Sequence, residues 1–404
     1  MKASAFLYPW DVNGDPGAAA RIAGLGVEQV TLAAAYHSTR ALTPRHPRHR
    51  IVTAEYAAVL YPPGERWAGR GLRPYPAGRW APGDAYGEAA AALTAAGLEV
   101  HTWVVLAHNS RLGAEHPDTS VVNAYGDHYP WAPCIAQPAT RAYLVDLAAE
   151  AAVRPGAHGT ELESLGWYGL QHLHAHDKTA GVALGEAGQY LMSLCFCPYC
   201  RAGYGELDLD PDELAASVRA ALEPLWRGAA DDGGWRTVAK LLGEEAAART
   251  RAWREEAAGT LQEESVTAVR AAAPAGFQVL LHADPVPYHC GANAGADPAR
   301  VLSVTDGVVV PCTGGTALLA PFAEHASDRT VLAANFTVVS GMAGSPATLA
   351  TDAARARAEG ATELRLYHAG LASDPDLTAV REALTTRPTP ATARRCRRPT
   401  PPSP

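Results

Sequence analysis

Short runs of apolar and β-branched residues recur along the chain. Each gives way to polar loop punctuation and then to an alanine-rich stretch of helical character. The first run is SAFLYPWD, Ser4 to Asp11. After it Asp15 is placed to cap a helix and Pro16 to open its first turn. EQVTLAAAYH follows, then a loop over about Ser38 to Pro82, then the helical DAYGEAAAALTAAGL. The third run, EVHTWVVLAH, leads through another long loop to QPATRAYLVDLAAEAA. The fourth, TELESLGW, precedes a cysteine-bearing loop and a helical stretch from about Pro211 to Ala273. The last four are FQVLLHAD, DGVVVPC, TVLAANFTVV and TELRLYHAG, each with a helical segment behind it.

Eight strand–helix repeats in a chain of 404 residues predict an α/β fold, a (β/α)8 barrel with long loops after strands 2, 3 and 4. An open doubly wound sheet is the alternative, but no G-x-G-x-x-G follows the first strand. The expected organisation is one barrel over residues 1–385 and a disordered Pro/Arg-rich tail, carrying Cys396, over 386–404.

Composition narrows the partners. The chain is 48% hydrophobic and 19% charged, with a net charge of -8, so nucleic acid is not an expected partner. No apolar run has the length of a signal peptide or a membrane span. Seven cysteines, an odd number, suit a reducing compartment, and the expected location is cytoplasmic.

In such a barrel the chemistry lies at the C-terminal ends of the strands. The candidates there are Tyr8, Trp10 and Asp11 from strand 1, and Tyr36, His37 and Arg40 from strand 2. Strand 3 adds His108, Asn109 and Arg111; strand 5 adds His282 and Asp284. Asn335 follows from strand 7, and Tyr367 and His368 from strand 8. Aromatic faces that stack on a ring, beside charged groups that bond its hydroxyls, suit a carbohydrate or glycoside. The long loop over Ser38 to Pro82, with Trp67, Tyr75 and Trp80, is expected to shape the pocket.

Glu163 ends strand 4 in an otherwise apolar context, where desolvation raises a carboxyl pKa and suits it to general-acid work. Glu161 shares its parity one step deeper, as a second candidate or as a floor residue held by a salt bridge. Glycoside hydrolysis needs a partner carboxylate. Asp284 is the first choice and Asp11 the second, although Asp before Pro285 is also a common turn residue. HLHAHDK supplies His172, His174 and His176, which either shape the substrate site or, with His282, serve a metal-dependent hydrolase or isomerase. A non-catalytic carbohydrate-binding barrel is the third alternative.

SLCFCPYCRAGYGE places Cys195, Cys197 and Cys200 at C-x-C-x-x-C spacing. Cys134 opens the helix after strand 3, and the loops after strands 3 and 4 are neighbours in a barrel, so the four can meet. The segments PCIAQPATRAYL, TELESLGWYG and CFCPYCRAGY together resemble an alanine-rich, largely uncharacterised group of bacterial glycoside-hydrolase-like barrels. The loops YHSTRALTPRHP and HNSRLGAEHP look like that group as well. The cysteine pattern is similar to that of the zinc-containing β-galactosidase family. The resemblance covers about the first half of the chain. It implies a structural Zn2+ on Cys134, Cys195, Cys197 and Cys200, a barrel, and a carboxylate at the end of strand 4, and it says little about substrate. Separately, no organic cofactor is expected, and the expected partner is a small-molecule or oligosaccharide substrate. Two departures stop a mechanism from being carried across: Leu162, not Asn, precedes Glu163, and ANFTVVSG offers no nucleophilic Glu after strand 7.

Overall fold

The computed structural model describes residues 1–170, 177–229 and 233–385. Eight parallel strands close on themselves: β1 (Lys2–Leu7), β2 (Gln29–Tyr36), β3 (Glu99–Val105), β4 (Gly159–Glu163), β5 (Gln278–Asp284), β6 (Gly307–Pro311), β7 (Val331–Thr337) and β8 (Glu363–Tyr367). Each pairs with the next in sequence, and β1 pairs with both β2 and β8, which completes the (β/α)8 barrel. The strands read as near-continuous apolar runs because both faces are covered, by the lumen within and by helices outside. All eight residues of β2 are buried.

The helices follow their local signals. Asp84 caps Ala85–Ala95 by accepting from the Gly87 N–H at 2.9 Å. Pro138 opens Pro138–Ala152, which packs against the long helix Glu244–Ala272. Several expectations shift. The first helix is Ala18–Ala23, and Asp15 folds back on Gly17 N and Arg21 instead of capping it. Strand β1 stops at Leu7, and Pro9–Val12 forms a helical turn, since Pro9 has no N–H to continue a ladder. The stretch from Pro211 onward is three helices, Pro211–Trp226, Gly234–Leu242 and Glu244–Ala272. Gly243, at φ 88°, makes the second break. The loop after β2 carries a hairpin, Thr39–Leu42 with Ile51–Ala54, and a short strand, Ala58–Val59, antiparallel to β2. Residues 386–404, with Cys396, lie outside the described residues, as do His172, His174 and His176. Among the described residues no helix is long and apolar enough to cross a membrane.

Candidate active site

The lumen is charged at the floor and aromatic at the mouth. At the floor, Glu161 is fully buried. Its Oε1 accepts from Arg365 Nε at 2.6 Å and from Thr31 Oγ1 at 3.0 Å. Arg365 also pairs with Glu363 at 2.8 Å. Burial alone would raise the Glu161 pKa, but the buried guanidinium outweighs it and holds the carboxyl at about 2.

Two residues on, Glu163 is 3% exposed and meets neutral donors instead. Its Oε2 accepts from the indole Trp103 Nε1 at 2.7 Å and from the Tyr367 hydroxyl at 3.3 Å. Desolvation dominates here and raises its pKa. The His282 ring lies between the two acids, with Nε2 3.5 Å from Glu161 Oε2 and Nδ1 3.7 Å from Glu163 Oε2.

Phe6, Trp103 and Tyr367 pack edge to face around this centre, with Phe6–Trp103 centroids 4.8 Å apart. Tyr8 OH donates to Tyr36 OH at 2.9 Å and lies 3.1 Å from His368 Nδ1. Tyr36 reaches the lumen because the β2–β3 register shifts between Ala33 and Ala35, reversing the strand's parity at its end. Burial lowers the His368 pKa to about 3, so this imidazole is neutral. Ser164 and His368, which directly follow β4 and β8, both adopt left-handed backbone, at φ 57° and 62°. Non-glycine residues in this region gather at functional sites.

The remaining candidates divide. Trp10 stacks on Tyr8 at 4.6 Å, and His37 on Tyr36 at 4.2 Å. His108 stacks on Tyr168 at 4.1 Å. Asp11 accepts from the Tyr8 N–H, and burial lifts its pKa to about 7. Gly370 leaves room for it, since a Cβ there would stand 1.9 Å from Asp11 Oδ2. Asn335 is buried on β7, and among the described residues its Oδ1 has no partner. Asp284 Oδ1 accepts from the Val286 N–H at 2.8 Å, the turn role, while Oδ2 pairs with His289 Nδ1 at 3.0 Å. Asn109 caps the short helix Ser110–Glu115. Arg40 is exposed on the hairpin. Arg111 lies in a separate cleft of about 860 Å³, its guanidinium 4.3 Å over Tyr56 and 4.1 Å over Tyr75. Trp67 and Tyr75 line that cleft as well, while Trp80 packs on the aromatic cluster at the mouth.

Sequence reasoning passed over Trp103, the closest donor to Glu163. Its signal is parity: 101, 103 and 105 face one way on the strand beside β4. Tyr168 is also missed; it lies close enough for the Glu163 charge to raise its pKa, after burial.

The four cysteines do meet. All are buried, and their sulfurs lie within 4.8 Å of one another. Cys134 Sγ is 3.6 Å from both Cys197 Sγ and Cys200 Sγ. Phe196 N bonds Val122 O at 2.7 Å, fastening this loop to a hairpin after β3, Ser120–Val122 with His128–Pro133. Burial drives the Cys134 and Cys200 thiols upward, while hydrogen bonds from its three companions drive Cys197 down. Buried thiols can ionise together only around a cation, and this group could hold a metal ion.

No family model and no curated protein matches the chain. Solved structures do. The chain is similar to α-L-fucosidase isoenzyme 2 from Paenibacillus thiaminolyticus, with 12% identity over 95% of this chain and 48% of that one, at TM-score 0.55. It is similar to the catalytic domain of β-amylase from Paenibacillus polymyxa, with 13% identity, 95% and 97% covered, at TM-score 0.54. A GH42 β-galactosidase from G. stearothermophilus gives 12% identity, 95% and 56% covered, at TM-score 0.53. The chain thus spans about half the length of the fucosidase and the β-galactosidase. At such identities the likeness shows the fold, a TIM barrel shared with glycoside hydrolases.

Proposed function

We propose that the protein is a glycoside-hydrolase-like enzyme acting on a carbohydrate or glycoside, with Glu163 as its acid/base group. One observation carries the reading. Glu163 is a buried carboxyl with a raised pKa at the C-terminal mouth of a barrel, held by the Trp103 indole and the Tyr367 hydroxyl. A carboxyl whose pKa is raised keeps its proton to higher pH than an ordinary one and can pass it to a leaving glycosidic oxygen. Asp284 on the neighbouring strand, oriented by Val286 N and His289, is the partner carboxylate of this proposal. The rings of Tyr36, Tyr168 and Tyr367 supply apolar faces near the acid.

For the four cysteines we propose a closed structural zinc site. Tetrahedral Zn–S bonds of about 2.3 Å set sulfurs about 3.8 Å apart, close to the 3.6 Å separations seen. With all four positions filled by protein it binds no substrate, and no step passes through it. Cys197→Ser is expected to reduce bound zinc from about one per chain to none and to lower the melting temperature. Metal-free wild type, freshly purified and reduced, would remove zinc from the proposal.

The test of function is a screen of aryl glycosides and oligosaccharides with wild type and Glu163→Gln. A kcat loss of about 10²–10⁴-fold in the variant is expected. Full activity in the variant would sink Glu163. Unchanged ligand affinity without turnover in either protein would point to a non-catalytic binding barrel.

A further inference from the structure

The cleft of about 860 Å³ on the loop after β2 lies outside the lumen and has the size of a ligand site. Two carboxylates hold its walls. Glu150, from the helix Pro138–Ala152, accepts from the Tyr61 hydroxyl at 3.2 Å, from Gly64 N at 2.7 Å and from the Trp67 indole at 2.6 Å. A Cβ on Gly64 would stand 2.6 Å from Glu150 Oε1, so this approach favours glycine. Glu115 uses both oxygens: Oε1 accepts from Arg111 Nε at 2.8 Å and Oε2 from the Tyr75 hydroxyl at 2.7 Å. A surface fixed in this way has little ordering left to do when a ligand binds.

The groups left over decide which ligand fits. Glu65, Arg73 and His116 line the cleft, and among the described residues their side chains have no hydrogen bond or ion pair. Arg73 and Arg111 are offset by Glu65 and Glu115, so the cleft does not favour an anion. A proline-rich peptide needs open grooves between aromatic side chains. The space between Tyr56 and Tyr75 is already filled by the Arg111 guanidinium, 4.3 and 4.1 Å from their ring centroids. What remains is aromatic surface beside charged groups of both signs. A sugar hydroxyl both donates and accepts, so it can pair with carboxylate and guanidinium alike.

The cleft opens beside the barrel mouth. Tyr56 packs edge-on against Trp80, with centroids 4.8 Å apart, and Trp80 packs on the aromatic cluster there. Pro74 and Tyr75 also line a void of about 10 Å³ shared with Tyr36 and His108, room for about one water. The cleft and the lumen are therefore neighbours but separate spaces.

We propose that this cleft is a second carbohydrate site, which holds a run of neutral sugar residues of an oligosaccharide beside the mouth. The choice of ligand rests on the glycoside-hydrolase-like reading of the protein. The test uses the full-length protein carrying Glu163→Gln, which on that reading leaves a bound glycan uncut. It is applied to an array of neutral oligosaccharides, with oligoproline as the comparison probe. Retained glycans are then titrated by calorimetry against this protein and against the same protein with Glu65→Ala and Arg73→Ala added. Both added sites are exposed, so the fold is not at stake. Loss of two charged hydrogen-bonding groups is expected to weaken binding about tenfold or more. A smaller loss would place the glycan elsewhere and overturn the proposal. An array that retains no glycan, or retains oligoproline alone, would overturn it as well. The two readings fail separately: aryl glycoside hydrolysis that survives Glu163→Gln sinks the lumen acid, and glycan binding that survives Glu65→Ala/Arg73→Ala sinks the cleft.

Discussion

Glu161 and Glu163 stand two residues apart on one strand, face the same lumen and are both buried, yet their environments oppose each other. Glu161 has a guanidinium at 2.6 Å and stays ionised down to about pH 2. Glu163 has an indole, a phenol and an imidazole near it, and its proton is retained above the usual carboxylate range. Burial is common to both, so burial does not decide the charge; the partner does. The floor pair anchors four strands through β4, β8 and the hydroxyls of Thr31 and Ser4. The mouth acid is held by the Trp103 indole and the Tyr367 hydroxyl.

Breaking the floor has the largest expected effect. Arg365→Met leaves Glu161 and Glu363 without their cation and should cost about 3–5 kcal/mol in urea unfolding. The double variant Glu161→Gln/Arg365→Met should recover much of that loss, since the buried charge at Glu161 goes with its partner. Equal losses in single and double variants would show that packing, not charge, holds the floor. Acid titration comes next. The folded pKa of Glu161 is depressed, so its contribution is complete above about pH 4.5 and fades as pH falls through about 2. It should amount to about 3 kcal/mol of lost stability across that window, absent in the double variant.

The mouth responds more gently. Trp103→Phe removes the donor that favours ionised Glu163, so its pKa should climb further. The limb of the pH–rate profile on which activity falls with rising pH should then move to higher pH, at a stability cost of about 1–3 kcal/mol. A limb that stays in place would separate Glu163 from that titration. The smallest expected effect is on the stability of Glu163→Gln. A raised folded pKa penalises the native state only where the unfolded chain can ionise. The variant should therefore equal or exceed wild type in melting temperature at pH 7, and the difference should vanish below about pH 4.5.

Much of this was legible in the chain. The eight strands stand out because a strand covered on both faces must be apolar throughout, and loop signals separate the runs. The meeting of Cys134 with the C-x-C-x-x-C loop follows from the adjacency of successive loops in a closed barrel. Glu163 is visible as an acid at an otherwise apolar strand end. Its contrast with Glu161 is not, because Arg365 comes from a strand 204 residues away and meets Glu161 only when β8 closes on β1. Tyr36 enters the lumen through a register shift that periodicity cannot display. Arg111 and Asn109 have the right residue types but serve a side cleft and a helix cap.

The sequence by itself determined the repeat, its polarity and the end of the barrel where chemistry belongs, since these follow from local periodicity and chain order. Tertiary structure alone decided which buried acid is charged. A protonation state depends on the few ångströms around an atom, and in a closed barrel those are filled by residues distant in the chain.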